Sequence, residues 1–173
     1  MFPCARSFVT DPSPIPIEDR CPECGGAIAG GRAGCQALWD ELMARATSDL
    51  RFRAVYRLAL DTYCMQHVDT YGVSAKSYAA HLMGLCCGVE HDGRAAVYDV
   101  IHRSLNGRPA LERPAAPGSR GTITLMAIAS APDPDEHARR VRAWALDVWS
   151  AYVAQHQLAR TLLDAALGGR IAR

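Results

Sequence analysis

Cys21-Pro22-Glu23-Cys24-Gly25-Gly26 is the segment whose residue types and spacing point most directly to chemistry. Two cysteines separated by two residues place both sulfurs on one side of a tight turn. The glycines that follow let backbone N–H groups turn toward the thiolates. Zn²⁺ takes four tetrahedral ligands drawn from Cys and His, so a knuckle of this kind is half a site. A Cys-x-x-Cys pair can also be a redox couple, but the strand–helix–strand context of a thioredoxin-like fold is missing. A pair of thiols without function is the remaining reading.

The other half of the site is argued from topology. Cys35 opens the first helical stretch and His67 closes the second. If those helices form an antiparallel hairpin, the start of one lies beside the end of the other, where the knuckle attaches. The expected ligands are then Cys21, Cys24, Cys35 and His67. Outside that set, His67 would cap or pack a helix end. His81 competes for a ligand position, but it sits about two turns into the third helix, roughly 10 Å from its start at ~1.5 Å per residue, and is the poorer ligand. Cys64, Cys86 and Cys87 lie among apolar neighbours and read as small packing residues, and Cys4 reads as a bystander.

Three further residues, Asp61, Tyr63 and His81, are the candidates for catalysis. Tyr63 shares a helix face with His67 at i,i+4 spacing. Asp61 is placed to orient a histidine on a neighbouring helix, His81 above all, either as a general base or as a polar contact joining two helices. A zinc with four protein ligands is coordinatively closed and structural, whereas a catalytic zinc keeps a position for water. The expected function is therefore a zinc-stabilised module that binds a protein or a small molecule. The alternative is a metal-dependent enzyme, hydrolytic or of secondary metabolism, with an open Cys2His zinc near Asp61 and His81.

The elements that must position these residues are helical. Pro3, Pro12, Pro14 and Pro16 make residues 1–20 a flexible arm. Residues 21–169 form a single helical domain whose first part, 21–35, is the zinc knuckle. From Cys35, Leu38, Trp39, Leu42 and Met43 recur at the spacing of a buried helical stripe. Asp49 caps a second helix running to His67, Ser74 a third ending near Asp92-Gly93, and a fourth runs from about Arg94 to Leu105. Residues 107–121 are a surface loop, and Thr124 caps a short turn over Leu125–Ala129. Asp133-Pro134-Asp135-Glu136 starts a last helix with an N-cap acid, Pro at the first position and acids facing the dipole. It is long enough that a break near Gln155-His156 is expected. The fold class is all-α, a bundle of about five helices with the knuckle packed on one end.

Composition sets the remaining bounds. The 173 residues suit one hydrophobic core. A formal charge of +1 leaves no basic surplus, so nucleic acid is not the expected partner. No apolar run reaches the ~18–20 residues of a membrane span, and Pro, Ser and Asp interrupt what a secretory signal would need. A cytoplasmic setting is expected, in which the seven cysteines stay reduced. Trp144, Trp149 and Tyr152 on the last helix either complete the core or pair with a second copy as a homodimer.

Taken together, the chain resembles an uncharacterised bacterial family catalogued as domain of unknown function 5946. The resemblance runs from about Cys21 to His156 and rests on Cys21-Pro22-x-Cys24-Gly25, Gly34-Cys35 with Trp39, and Asp61-x-Tyr63-x-x-Gln66-His67. It continues through Ser77, His81-Leu82, Asp133-Pro134-x-Glu136-His137 and Trp144-Ala145-x-x-Val148-Trp149. Members commonly carry Pro after the Gln-His pair, where this chain has Val68. The resemblance implies the same ligand set and an all-helical fold, and it implies no activity.

Overall fold

A computed structural model describes residues 17–106 and 110–168. Among these residues are eight α-helices: α1 (Gly31–Ser48), α2 (Tyr56–Gln66), α3 (Val68–Tyr71), α4 (Ala75–Glu90), α5 (Ala95–Asn106), α6 (Leu125–Ala129), α7 (Pro134–Ala151) and α8 (His156–Ala166). The only β-type pairing among them is an isolated antiparallel bridge between Arg20 and Ala27. Cys4, most of the N-terminal arm and Gly107 lie outside the described residues.

The fold is all-α, as the periodicity indicates, but it has eight helices rather than about five. His67 leaves helical dihedrals (φ −111°, ψ 45°), which separates α2 from the single turn of α3. The Leu125–Ala129 turn is an α-helix in its own right, although Thr124 makes no side-chain cap bond. The long last helix divides at Tyr152, and a 3-10 turn over Val153–Gln155 leads into α8. A 3-10 turn over Leu50–Val55 also replaces the first part of the second helix, although Asp49 caps it by accepting from the Arg51 N–H.

Local signals mark several termini correctly. Ser74 and Ser77 form a reciprocal capping box at the start of α4, and Asp133 accepts from the Glu136 N–H at 2.8 Å to start α7. Asp92 and Gly93, at φ 56° and 61°, close α4 in the left-handed region. The start of α1 differs: it begins at Gly31, so Cys35 sits in its second turn rather than opening it.

At the centre, α2 and α4 run antiparallel along a seam of small residues. Gly88 is one of them: an ideal Cβ there would lie 2.4 Å from Leu58 Cδ1. α7 packs across both helices, α5 and α8 flank α4, and α6 bridges α1 and α7. Trp144, Tyr78, Leu82, Leu85, Val141 and Val148 are fully buried between these layers.

Two buried polar contacts lock the layers together. The Gln66 amide donates to the carbonyls of Arg120 (3.2 Å) and Ile123 (2.9 Å) and accepts from the Trp144 indole N–H at 3.0 Å. The Tyr152 hydroxyl donates to the Met65 carbonyl at 2.7 Å. This satisfies an acceptor that the end of α2 leaves open, and the α7–α8 break occurs at the same tyrosine. The irregular segment between α5 and α6 is fastened a second time by Asp147, which accepts from the N–H groups of Thr122 and Ile123.

Candidate metal centre

The knuckle is a tight turn closed by its own backbone. Cys21 N–H donates to the Gly26 carbonyl (2.9 Å), and Gly25 N–H, from a residue at φ 71°, donates to the Cys21 carbonyl (2.8 Å). Gly26 N–H then points at Cys24 Sγ at 3.4 Å. The turn reaches α1 at a point where only glycine fits: an ideal Cβ on Gly34 would stand 2.0 Å from the Ala29 carbonyl oxygen. That close approach swings the next residue, Cys35, toward the knuckle.

Cys21, Cys24, Cys35 and His67 are all buried, and their ligand atoms lie within 4.8 Å of one another. Cys35 Sγ is 3.3 Å and Cys21 Sγ 3.5 Å from His67 Nε2, and Cys24 Sγ is 3.9 Å from Cys35 Sγ. A tetrahedron with metal–sulfur bonds of ~2.3 Å and a metal–nitrogen bond of ~2.0 Å has edges of roughly 3.5–3.8 Å. The donor set and its spacing therefore suit a metal such as zinc.

His67 is oriented for that role. Its Nδ1 lies 2.9 Å from the Tyr63 carbonyl, which only accepts, so a proton is assigned to Nδ1, and Nε2 is the nitrogen that faces the sulfurs. The imidazole stacks on the Tyr63 ring at 4.1 Å, and Tyr63 stacks in turn on Trp39 at 4.2 Å, which closes one side of the cluster against water.

The crowded sulfurs divide their protons unequally. Hydrogen bonds from Cys24 and Cys35 hold Cys21 well below the usual thiol range, against the effect of burial. Hydrogen bonds with Cys21 and Cys24, followed by burial, push Cys35 up. For His67, burial acts downward but is outweighed by hydrogen bonds to Cys21 and Cys24, which raise it to about 9. A cation bound to these donors would displace the protons, so its binding would release them.

Glu23, inside the Cys-x-x-Cys turn, is the functional residue least visible in the sequence. Its carboxylate accepts from the N–H groups of Asp69 (2.9 Å) and Thr70 (3.3 Å) at the start of α3 and from the Thr70 hydroxyl. It also pairs with Arg32, and with Arg120 at 3.3 Å. One residue therefore ties the knuckle to α1, to the end of the α2–α3 corner and to the distant 110–124 segment. The only sequence signal was its position between two cysteines, facing the start of a helix.

Asp61 and His81 do come together, with His81 Nδ1 2.9 Å from Asp61 Oδ1, but they do not join the cluster. Asp61 lies on the face of α2 that meets α4, whereas Tyr63 and His67 lie on the face that meets α1 and the knuckle. Burial pushes the Asp61 carboxyl up, against the pull of His81, Arg57 and His102. Tyr63, the third catalytic candidate, is 2% exposed and serves as a wall of the Cys/His cluster. A second triad, Cys86, Glu90 and His91, also brings three potential ligand atoms within 4.8 Å. Its carboxylate, however, is already held by Arg160 at 2.6 and 2.8 Å and by the Trp149 indole N–H at 3.1 Å.

A family model described as "Family of unknown function (DUF5946)" matches residues 19–153, which spans the knuckle, the cluster and α7. No curated protein and no solved structure matches the chain.

Proposed function

The chain belongs to the DUF5946 family of unknown function, and from that premise we propose that it is a zinc-stabilised helical binding module. The observation that carries this reading is the spacing of four buried Cys and His donors at the edges of a tetrahedron, with His67 Nε2 turned inward. Zinc bound there would tie a glycine-rich turn, too short to bury a core of its own, onto α1 and α2. Four protein ligands fill a tetrahedron and leave no place for water, which favours a structural role.

The metal-dependent enzyme is the weaker reading. It rests on the Asp61–His81 hydrogen bond, but that pair faces α4 and is better read as a polar contact joining two helices. The working picture is one helical domain over 21–169, following an arm, in a reducing, cytoplasmic setting. Its partner would be a protein or a small molecule rather than nucleic acid, and a second copy is open to test. No described helix is long and apolar enough to cross a membrane.

The deciding experiment is elemental analysis of the purified full chain combined with X-ray absorption at the zinc edge. One zinc per chain with three sulfur neighbours and one nitrogen is the expected result. Absence of metal, or a site with two sulfurs and a water oxygen, would overturn the structural reading.

A further inference from the structure

At the end of the α2–α4 seam where Leu58 meets Gly88, a cleft of about 310 Å³ opens between the Leu50–Val55 turn, the α4–α5 corner and α7. That is the lower end of the range for small-molecule sites. Its walls are mixed: Leu58, Val89 and Leu146 supply an apolar stretch, and Tyr98, Asp92 and two arginines also line it. Leu146 is 54% exposed at its edge.

Two guanidinium groups line the cleft, Arg57 and Arg142. Among the described residues, neither has a carboxylate within 4 Å, in contrast to Arg32, Arg120, Arg139, Arg140 and Arg160, all of which do. Arg57 is held in position from two directions: it lies over the Tyr98 ring at 5.6 Å and contacts His102 Nε2 at 3.4 Å. Asp92 is the one acid in the lining, so the cleft carries a net charge of about one positive unit.

The seam is built to keep this space. α4 carries Gly88 where it meets Leu58, and a Cβ at that position would stand 2.4 Å from Leu58 Cδ1 and 3.2 Å from the Tyr98 hydroxyl. A larger residue there would have to displace the Leu58 side chain or enter the cleft.

We propose that this cleft binds a small monocarboxylate with a short apolar body, its carboxylate between Arg57 and Arg142 and its chain against Leu58 and Leu146. The size limits the body to a short one, Leu58, Val89 and Leu146 give it an apolar stretch to lie against, and a single net positive charge matches a monoanion. Arginine also presents the paired N–H groups that a carboxylate accepts. The inference deepens the binding-module reading and rests on it, while placing the ligand away from the metal cluster.

The test is a titration of ¹⁵N-labelled, zinc-loaded full chain with hexanoate, with zinc content measured on the same sample. Saturable shifts are expected at Leu58, Val89, Tyr98 and Leu146, with no comparable response to the neutral hexanamide or to inorganic phosphate. Arg57→Gln and Arg142→Gln should each weaken hexanoate by about tenfold. Leu146→Glu, a change at an exposed position, should abolish binding while the fold and the zinc are retained. Zinc-loaded protein that shows no saturable shift, an equal response to hexanamide or phosphate, shifts centred elsewhere, or arginine variants that bind as tightly as the parent would each overturn the proposal. Loss of zinc would count against the module reading instead.

Discussion

An ideal Cβ on Gly84 of α4 would stand 2.1 Å from Oδ2 of Asp61 on α2, so these helices touch where there is no room for a methyl group. Gly84→Ala is therefore expected to destabilise the fold by about 1–3 kcal/mol even though alanine is the better helix former. Gly118→Ala, where a Cβ meets nothing within 4 Å, should change stability by less than about 0.5 kcal/mol. Urea unfolding of both variants checks the contrast, and a neutral Gly84→Ala would show that the seam is looser than described.

The two histidines on either side of α2 should separate cleanly. His67→Ala removes a donor from the cluster and should lower zinc affinity at least about 100-fold, measured by competition with a chromogenic chelator. His81→Ala leaves the cluster intact and should keep one zinc per chain at unchanged affinity, while its loss of the Asp61 contact shows only in stability. Equal loss of zinc in the two variants would contradict the placement of the site.

Gln66 is fully buried and uses both ends of its amide. Gln66→Leu strips partners from two backbone carbonyls and one indole N–H. At about 1–3 kcal/mol for each group left unsatisfied, a loss of roughly 3–5 kcal/mol is expected, allowing for partial rescue by water. Hydrogen exchange should show the 110–124 segment losing protection before α2 does. If the segment stays protected, its contacts with Asp147 and Glu23 hold it without Gln66.

His137 gives the protein an acid-sensitive position away from the Cys/His cluster. It is buried, its Nδ1 has no partner among the described residues, and burial followed by the charge of Arg45 holds it below the usual histidine range. The unfolded chain takes up a proton near pH ~6.5 that the folded state resists. Stability is therefore lost as pH falls from the unfolded value toward the folded one. His137→Phe keeps a ring against Phe52 and removes the titration, so its stability should fall less than the parent's between about pH 7 and 5. Ligand protonation acts equally on both proteins, and urea melts at the two pH values isolate the difference.

Much of this was legible from residue types. The Cys-Pro-Glu-Cys-Gly turn announces itself, and the meeting of Cys35 with His67 follows from helix order alone. Asp61 and His81 were also expected to touch. The helix count was legible only in part: the length of the last helix pointed to a break near Gln155-His156, where α8 begins, but the division at His67 carries no Pro or Gly to mark it. The separation of the Asp61 pair from the cluster was equally hidden, since it depends on which face of α2 meets which neighbour. Glycines inside α4 look like defects until the opposing Asp61 and Leu58 side chains are in place. Local pattern records what a residue prefers and leaves out what stands opposite it.

Because the Glu23 carboxylate grips Arg120, 97 positions further along the chain, capture of an ion at the amino-terminal turn would be linked to anchoring of the 110–124 stretch. Linkage of this kind works in both directions by the same factor. Whatever clamps that stretch in place would strengthen binding of the ion, and a bound ion would hold the stretch more firmly. Occupancy of the cluster would thereby be felt along residues that supply no ligand to it.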